Sequence, residues 1–115
     1  MKLDRTKELI HGMVDESNPK GALVHVLESA IELVQIPDND FAWSYWEDSD
    51  QASAEINKII SVLKSGGLPN RVDVAVIFAP TGPLQEISIS SGWGDAFIKV
   101  AEKYDEVEQL LWGSS

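Results

Sequence analysis

The chain has 115 residues, 43% of them apolar, which is enough for one domain with its own hydrophobic core. It contains no cysteine, which excludes disulfides, thiolate nucleophiles and cysteine-ligated zinc and fits a reducing compartment. Nineteen acidic against nine basic side chains give a formal charge of −10. Such a balance argues against nucleic-acid and anionic-lipid partners, because binding to phosphate needs clustered Lys and Arg.

The location of the protein is also suggested by its sequence. No stretch approaches the roughly 18 to 20 consecutive apolar residues that a membrane-spanning helix needs. The opening residues, MKLDRTKELIHGM, lack the apolar core and the small-residue cleavage site of a signal peptide. We therefore expect a cytoplasmic protein that forms a single domain over residues 1–115.

The apolar periodicity and the capping residues predict four helices. Asn18 and Asp48 are the expected N-caps of the second and third helices, and Pro19 suits a first helical position. Gly12 weakens the first helix, and Gly66-Gly67 stops the third. The expected bounds are about 3–14, 19–35, 48–64 and 93–111.

Three strands are predicted between these helices, because the segments are rich in β-branched and aromatic residues. They are FAWSYW (41–46), VDVAVIF (72–78) and QEISIS (85–90), the last with Ile87 and Ile89 pointing inward. APTGP (79–83) is interpreted as the hairpin turn between the last two, or as a rigid loop presented for binding. The order α-α-β-α-β-β-α predicts a two-layer α+β domain, in which helices pack on a small, about three-stranded, mostly antiparallel sheet.

One stretch of the chain combines acidic and aromatic side chains. No Lys or Arg lies between Lys20 and Lys58, and within this interval DNDFAWSYWEDSD (38–50), here called the acidic aromatic segment, carries both residue types. Trp and Tyr are frequent at binding hot spots, and carboxylates steer a basic partner. The candidate partner-binding residues are Asp38, Asp40, Trp43, Trp46, Glu47, Asp48 and Asp50.

The strand predicted at 41–46 assigns these aromatic side chains to two faces. Phe41, Trp43 and Tyr45 share the buried face, which leaves Trp46 on the other face. If Trp46 is exposed, it is the best single contact residue in the chain. A core strand flanked by capping acids is the alternative interpretation.

The turn SSGWGD (90–95) is a second candidate site, because ligands often lie where a glycine-rich turn precedes a helix N-terminus. It does not fit the phosphate-loop, dinucleotide or nucleophile-elbow patterns. The alternative is a tight turn in which Ser90 or Ser91 caps the last helix and Trp93 closes the edge of the core. The candidate ligand residues are Ser91, Gly92, Trp93, Gly94 and Asp95.

No catalytic residues, cofactor or metal site can be assigned from the sequence. His11 and His25 both fall on the polar faces of their helices, and neither has a recognisable catalytic partner. Asp38 and Asp40 match only the first two ligand positions of a calcium loop. We therefore expect a protein that is not an enzyme.

The leading hypothesis is a small acidic interaction domain that covers a basic surface on a partner protein. In size and charge alone, the chain resembles bacterial immunity proteins, which neutralise nuclease toxins. An acidic secretion-type chaperone, which would form a homodimer, is one alternative. A small-molecule-binding or enzymatic domain with its pocket at the SSGWGD turn is the other.

Overall fold

A computed structural model of the protein describes residues 3–113 and places them in six α-helices, with no strand among those residues. The α+β prediction is therefore wrong, and the protein is all-helical. The helices are α1 (Asp4–His11), α2 (Pro19–Val34), α3 (Ser49–Lys64), α4 (Arg71–Phe78), α5 (Pro83–Ser91) and α6 (Gly94–Trp112).

The four helices predicted from the sequence are present, with α1 shorter than expected. The Asn18 side chain accepts a hydrogen bond of 3.1 Å from the Gly21 N–H at the start of α2. The Asp48 carboxylate likewise accepts one of 2.8 Å from the Gln51 N–H at the start of α3. Local capping chemistry therefore locates these helix starts, as the sequence indicates.

VDVAVIF (72–78) was predicted to be a strand, and this prediction is wrong because the segment lies in α4. The Asn70 side chain caps the helix by accepting a 2.9 Å hydrogen bond from the Val72 N–H. Val74, Ile77 and Phe78 are buried, and this spacing of three and four residues is that of one helix face. Since α4 packs against α5 and α6, only one of its faces needs to be apolar.

The strand predicted at QEISIS (85–90) is also wrong, because these residues belong to α5. Leu84, Ile87 and Ser88 are buried at helical spacing, whereas Ile89 is exposed instead of pointing inward. Pro83 stands at the first helical position, where its missing N–H leaves no bond unmade. APTGP therefore connects two helices and is not a hairpin turn.

The strand predicted at FAWSYW (41–46) is wrong as well, because these residues lie in the irregular connection between α2 and α3. Its backbone bonds are local: the Ser44 N–H donates to the Phe41 carbonyl at 3.0 Å, and the Trp46 N–H donates to the Ser44 hydroxyl at 3.2 Å. These local hydrogen bonds fold the segment into a turn, and it does not form the ladder of hydrogen bonds of a strand.

Helix α2 is the centre of the fold, because it contacts α1, α3, α5 and α6. The apolar side chains on its core-facing stripe have no solvent exposure, and α6 supplies a second core stripe against it. The buried apolar residues of α2 are Leu23, Val26, Leu27, Ala30, Leu33 and Val34. No helix within residues 3–113 is both long enough and apolar enough to cross a membrane.

The connection between α4 and α5 depends on a glycine, which gives a first prediction. A Cβ at Gly82 would lie 2.5 Å from the Val76 carbonyl oxygen and 2.9 Å from that of Ala79. Because backbone atoms cannot yield as a flexible side chain does, Gly82→Ala should lower the free energy of unfolding by about 1 to 3 kcal/mol. Urea unfolding followed by circular dichroism measures this loss.

Gly94→Ala is the matched control for Gly82→Ala. No atom lies within 4 Å of a Cβ built on Gly94, which begins α6. Alanine has the higher helix propensity, so this variant should be as stable as the wild type or slightly more stable. Equal unfolding midpoints for the two variants would contradict the close approach at Gly82.

Candidate protein-binding surface

The acidic aromatic segment is anchored by Trp46, whose side chain is only 1% exposed. Trp43 and Tyr45, by contrast, are 75% and 53% exposed. The assignment of Trp43 and Tyr45 to a buried face is therefore wrong, and Trp46 is a core residue rather than a contact. The strand rule of alternating faces fails here because the segment is a loop with a turn at Phe41–Ser44.

Asn39 attaches the start of the segment to the helices beside it. Its side-chain amide donates to the last carbonyls of α2, those of Leu33 at 2.8 Å and Val34 at 3.1 Å. The side-chain oxygen of Asn39 accepts a 2.8 Å hydrogen bond from the indole N–H of Trp93. Carbonyls at a helix C-terminus have no partner within the helix, so Asn39 both closes α2 and connects the segment to the turn before α6.

The two candidate sites from the sequence analysis are thus neighbours. The backbone N–H of Asp40 donates to the Ser91 hydroxyl at 2.9 Å, beside the Trp93 bond. Neither Ser90 nor Ser91 caps α6, whose N-cap is Trp93 without a side-chain bond. The polar groups of Ser91 and Trp93 therefore already serve to hold the acidic aromatic segment in place.

Gly92 ends α5 and gives the SSGWGD turn its shape. Its φ of 87° lies in the left-handed region, where glycine has no steric penalty. Gly94 and Asp95 then begin α6, and Asp95 is an exposed acid in its first turn. The five candidate residues of this turn are contiguous in space, as their sequence order requires.

The carboxylates of the acidic aromatic segment are all exposed. None of them forms an ion pair with a basic side chain within the described residues. Two of them make short-range bonds to the backbone: Asp48 caps α3, and Asp40 accepts a 2.9 Å hydrogen bond from the Ala42 N–H. The segment therefore presents uncompensated negative charge around Trp43. Its exposed acids are Asp38, Asp40, Glu47, Asp48 and Asp50.

Tyr45 connects the segment to a groove between α3 and α4. Its hydroxyl donates a 2.8 Å hydrogen bond to the Glu55 carboxylate on α3. Partial burial, together with the Glu55 carboxylate, raises the pKa of Tyr45 well above its usual range, so the hydroxyl remains a donor even at an alkaline pH at which an ordinary tyrosine ionises. The groove has a volume of about 410 Å³. It is lined by Tyr45, Glu55, Lys58, Ile59, Val62, Pro69, Asn70, Asp73 and Val76.

Sequence reasoning missed this groove because it assigned residues 72–78 to a strand. The signal that could have revealed it is the capping pattern at the start of α4, where Asn70 precedes an acid in the first helical turn, Asp73. That pattern indicates a helix, and a helix leaves Val76 on an outer face.

Of the two histidines, His25 lies between α1 and α2, whereas His11 is exposed at the end of α1. The Nε2 atom of His25 lies 3.0 Å from the Arg5 carbonyl oxygen and 4.0 Å from the Glu8 carboxylate. Among residues 3–113, no group of three or more His, Asp or Glu side chains is arranged to hold a metal ion. His25 therefore faces α1 and is not part of a metal-binding cluster among the described residues.

Comparisons of this chain with protein-family models, with curated proteins and with solved structures give no significant match. Its function is therefore inferred from the chemistry of its surface.

Proposed function

We propose that this protein is a small acidic interaction domain, without catalytic activity of its own, that binds a basic surface of a partner protein through the acidic aromatic segment. The observation that carries the proposal is the exposure of Trp43, at 75%, among carboxylates that face solvent. Large exposed aromatic side chains are typical anchors of protein interfaces, and a surrounding field of one sign selects a partner of the other sign.

The way the segment is held supports this proposal. Trp46 is buried beneath it, and Asn39 and Asp40 bond it to the elements on both sides. A loop fixed before binding loses little conformational entropy when it binds, so more of the contact energy appears as affinity. An exposed tryptophan on a fixed loop is therefore a better anchor than one on a loose chain.

An inhibitor or immunity-type role in the cytoplasm is the form of this proposal that fits the charge best. An acidic domain that covers the cationic site of a partner prevents polyanions such as nucleic acid from reaching that site. The secretion-type chaperone was favoured by an α+β fold that this chain does not have. The small-molecule alternative is weakened because the polar groups of Ser91 and Trp93 already form hydrogen bonds within the protein.

Photo-crosslinking tests the proposal directly. We place p-benzoylphenylalanine at position 43 in one variant and at position 98 in another, since Ile98 is also exposed but lies on α6. In lysate of the source cell, position 43 should crosslink one basic protein, and position 98 should not crosslink it. No product specific to position 43, at low and at moderate salt, would refute the proposed function.

The purified partner then allows the contribution of Trp43 to be measured. Trp43→Ala should weaken binding by about thirtyfold, or about 2 kcal/mol, because it removes a central aromatic anchor. The folded state should be unaffected, since the side chain is exposed. Calorimetric titration measures the affinity, and Ile98→Ala, which should bind like the wild type, is the control.

The carboxylates should act mainly on the rate of association. Replacing Asp38, Asp40 and Asp48 by Asn should slow association and flatten its dependence on salt, while dissociation changes less. Asparagine is also a good N-cap, so the change at Asp48 removes charge without removing the start of α3. Stopped-flow mixing at several salt concentrations separates the two rates.

A further inference from the structure

The groove between α3 and α4 is an exposed apolar surface on an otherwise strongly charged protein. Val62 on α3 and Val76 on α4 are 40% and 43% exposed, although both belong to helices with well-buried opposite faces. Ile59 and Pro69 line the same groove. Contiguous exposed apolar surface of this kind usually marks a site of interaction.

The walls of the groove are two helices. α3 makes its main contact with α2, and α4 makes its main contacts with α5 and α6, so the two helices form separate walls with space between them. Two helices that flank an apolar floor are the usual receptor for the apolar face of a third helix, whose side chains enter at intervals of three and four residues.

The charges around the groove favour a cationic occupant. Glu55 stands on the α3 wall and Asp73 on the α4 wall, with Lys58 as the one basic side chain in the lining. Glu47 and Asp48 add negative charge at the start of α3, close to the Tyr45 end of the groove. A second copy of this chain, with a charge of −10, would bring like charge to the same place.

We propose that the groove binds an amphipathic, Lys- and Arg-rich helix of the partner protein. The apolar side chains of that helix enter between Val62 and Val76, and its basic side chains pair with Glu55 and Asp73. This inference rests on the proposed function. It extends the binding surface, because Tyr45 belongs both to the acidic aromatic segment and to the groove lining.

The probe is a fluorescein-labelled synthetic peptide of about five helical turns, with Leu at alternating intervals of three and four residues along one face and Lys elsewhere. A control peptide has the same composition with its Leu residues spread around the helix. Fluorescence anisotropy should show saturable binding of the first peptide and at least tenfold weaker binding of the second, because only the first has an apolar face.

A pair of valine variants localises the binding. Val76→Ser should weaken peptide binding by about tenfold, because one valine side chain no longer enters an apolar contact. Val72→Ser, on the same helix, should change it less than twofold, since Val72 is more exposed and does not line the groove. Both substitutions leave the charge unchanged.

A second pair tests the charges. Glu55→Gln with Asp73→Asn should weaken binding and reduce its salt dependence, while Tyr45 can still donate to the amide oxygen at position 55. Glu102→Gln with Glu106→Gln removes the same charge from α6, outside the groove lining, and should have a much smaller effect.

The outcomes separate this inference from the proposed function. Peptide binding that is weakened by Trp43→Ala but not by Val76→Ser would overturn the groove inference and leave the acidic aromatic segment as the binding site. No binding of either peptide would also overturn it, with the crosslink from position 43 still deciding the proposed function. Self-association in sedimentation that disappears with Val76→Ser would show that a second copy occupies the groove, which also overturns the inference.

Discussion

Trp46→Ala is expected to lower the free energy of unfolding by about 3 to 5 kcal/mol, which is typical of truncating a large aromatic side chain in a core. Trp46 is 1% exposed and is the largest fully buried side chain among the described residues. The Trp46 and Tyr45 rings are steeply inclined to each other in a T-shaped contact, with 5.4 Å between the ring centroids. Removing the Trp46 ring leaves a cavity under the acidic aromatic segment that a short loop cannot fill.

Trp46→Phe should be much milder, which makes the mechanism testable. The indole N–H of Trp46 has no hydrogen-bond partner within the described residues, and a buried unpaired donor is itself destabilising. Phenylalanine removes that donor and keeps most of the apolar volume. We therefore expect a loss below about 1.5 kcal/mol, the range usual for conservative core substitutions.

Urea unfolding should be followed by circular dichroism for these variants, because the substitutions alter the tryptophan fluorescence itself. Trp43→Ala is the control, and its unfolding free energy should stay within about 0.5 kcal/mol of the wild type, as usual for surface positions. If the alanine variants at positions 43 and 46 unfolded at the same midpoint, the burial of Trp46 would be disproved. A phenylalanine variant as unstable as Trp46→Ala would instead indicate that the indole N–H has a partner.

Glu32→Ala is expected to lower the free energy of unfolding by about 3 kcal/mol, because the Glu32 carboxylate holds the start of α1 against α2. Hydrogen bonds to a charged group are among the stronger hydrogen bonds in proteins. The Glu32 carboxylate accepts hydrogen bonds from the backbone N–H groups of Arg5 at 2.9 Å and Thr6 at 2.8 Å. The Thr6 hydroxyl donates a third, at 2.9 Å. A negative charge at a helix N-terminus is also favoured by the helix dipole.

The expected loss is concentrated in α1, which the sequence alone leaves weakly specified. Leu3, the N-cap of α1, makes no side-chain capping bond, so the helix takes its cap from Glu32 on another helix. Hydrogen exchange should therefore show the largest loss of protection in the amides of α1. Glu32→Gln keeps an acceptor oxygen without the charge, so its free energy of unfolding should lie between those of the wild type and Glu32→Ala.

Glu28→Ala is the matched control, since Glu28 also lies on α2 and also faces α1. Its carboxylate is 3.8 Å from the Arg5 guanidinium, and both side chains are partly exposed. An ion pair of this kind contributes roughly 0 to 1 kcal/mol. Equal destabilisation by the two alanine variants would mean that general electrostatics, rather than capping by Glu32, attaches α1.

Local sequence was sufficient to place the starts of α2 and α3. In each helix, the N-cap side chain accepts a hydrogen bond from the backbone N–H three residues later in the chain, as Asn18 does for α2 and Asp48 for α3. The exposed carboxylates of the acidic aromatic segment could also be predicted, because charged side chains are almost always at the surface. These features depend on interactions between near neighbours in the chain or on the cost of burying a charge.

The conformation of residues 72–78 and 85–90 was decided by the tertiary structure. A short run of β-branched residues carries no decisive periodicity, so it fits a buried strand and a short helix equally well. A strand needs a partner to complete its hydrogen bonds, whereas a helix completes them within itself. Both α4 and α5 pack against α6, and in this arrangement Val74, Ile77 and Leu84 are buried without a partner strand.

The choice between Trp43 and Trp46 was likewise made by packing. The two residues lie three apart in one loop, and nothing in their immediate neighbours ranks one as the core residue. Trp46 became the anchor and Trp43 the exposed side chain because the segment is attached at Asn39 and at Asp48, which sets where each residue lies above the core. The sequence by itself therefore determined the capped helices and the acidic surface. The tertiary structure alone decided the all-helical fold, the groove and which tryptophan a partner can reach, because each depends on contacts between residues far apart in the chain.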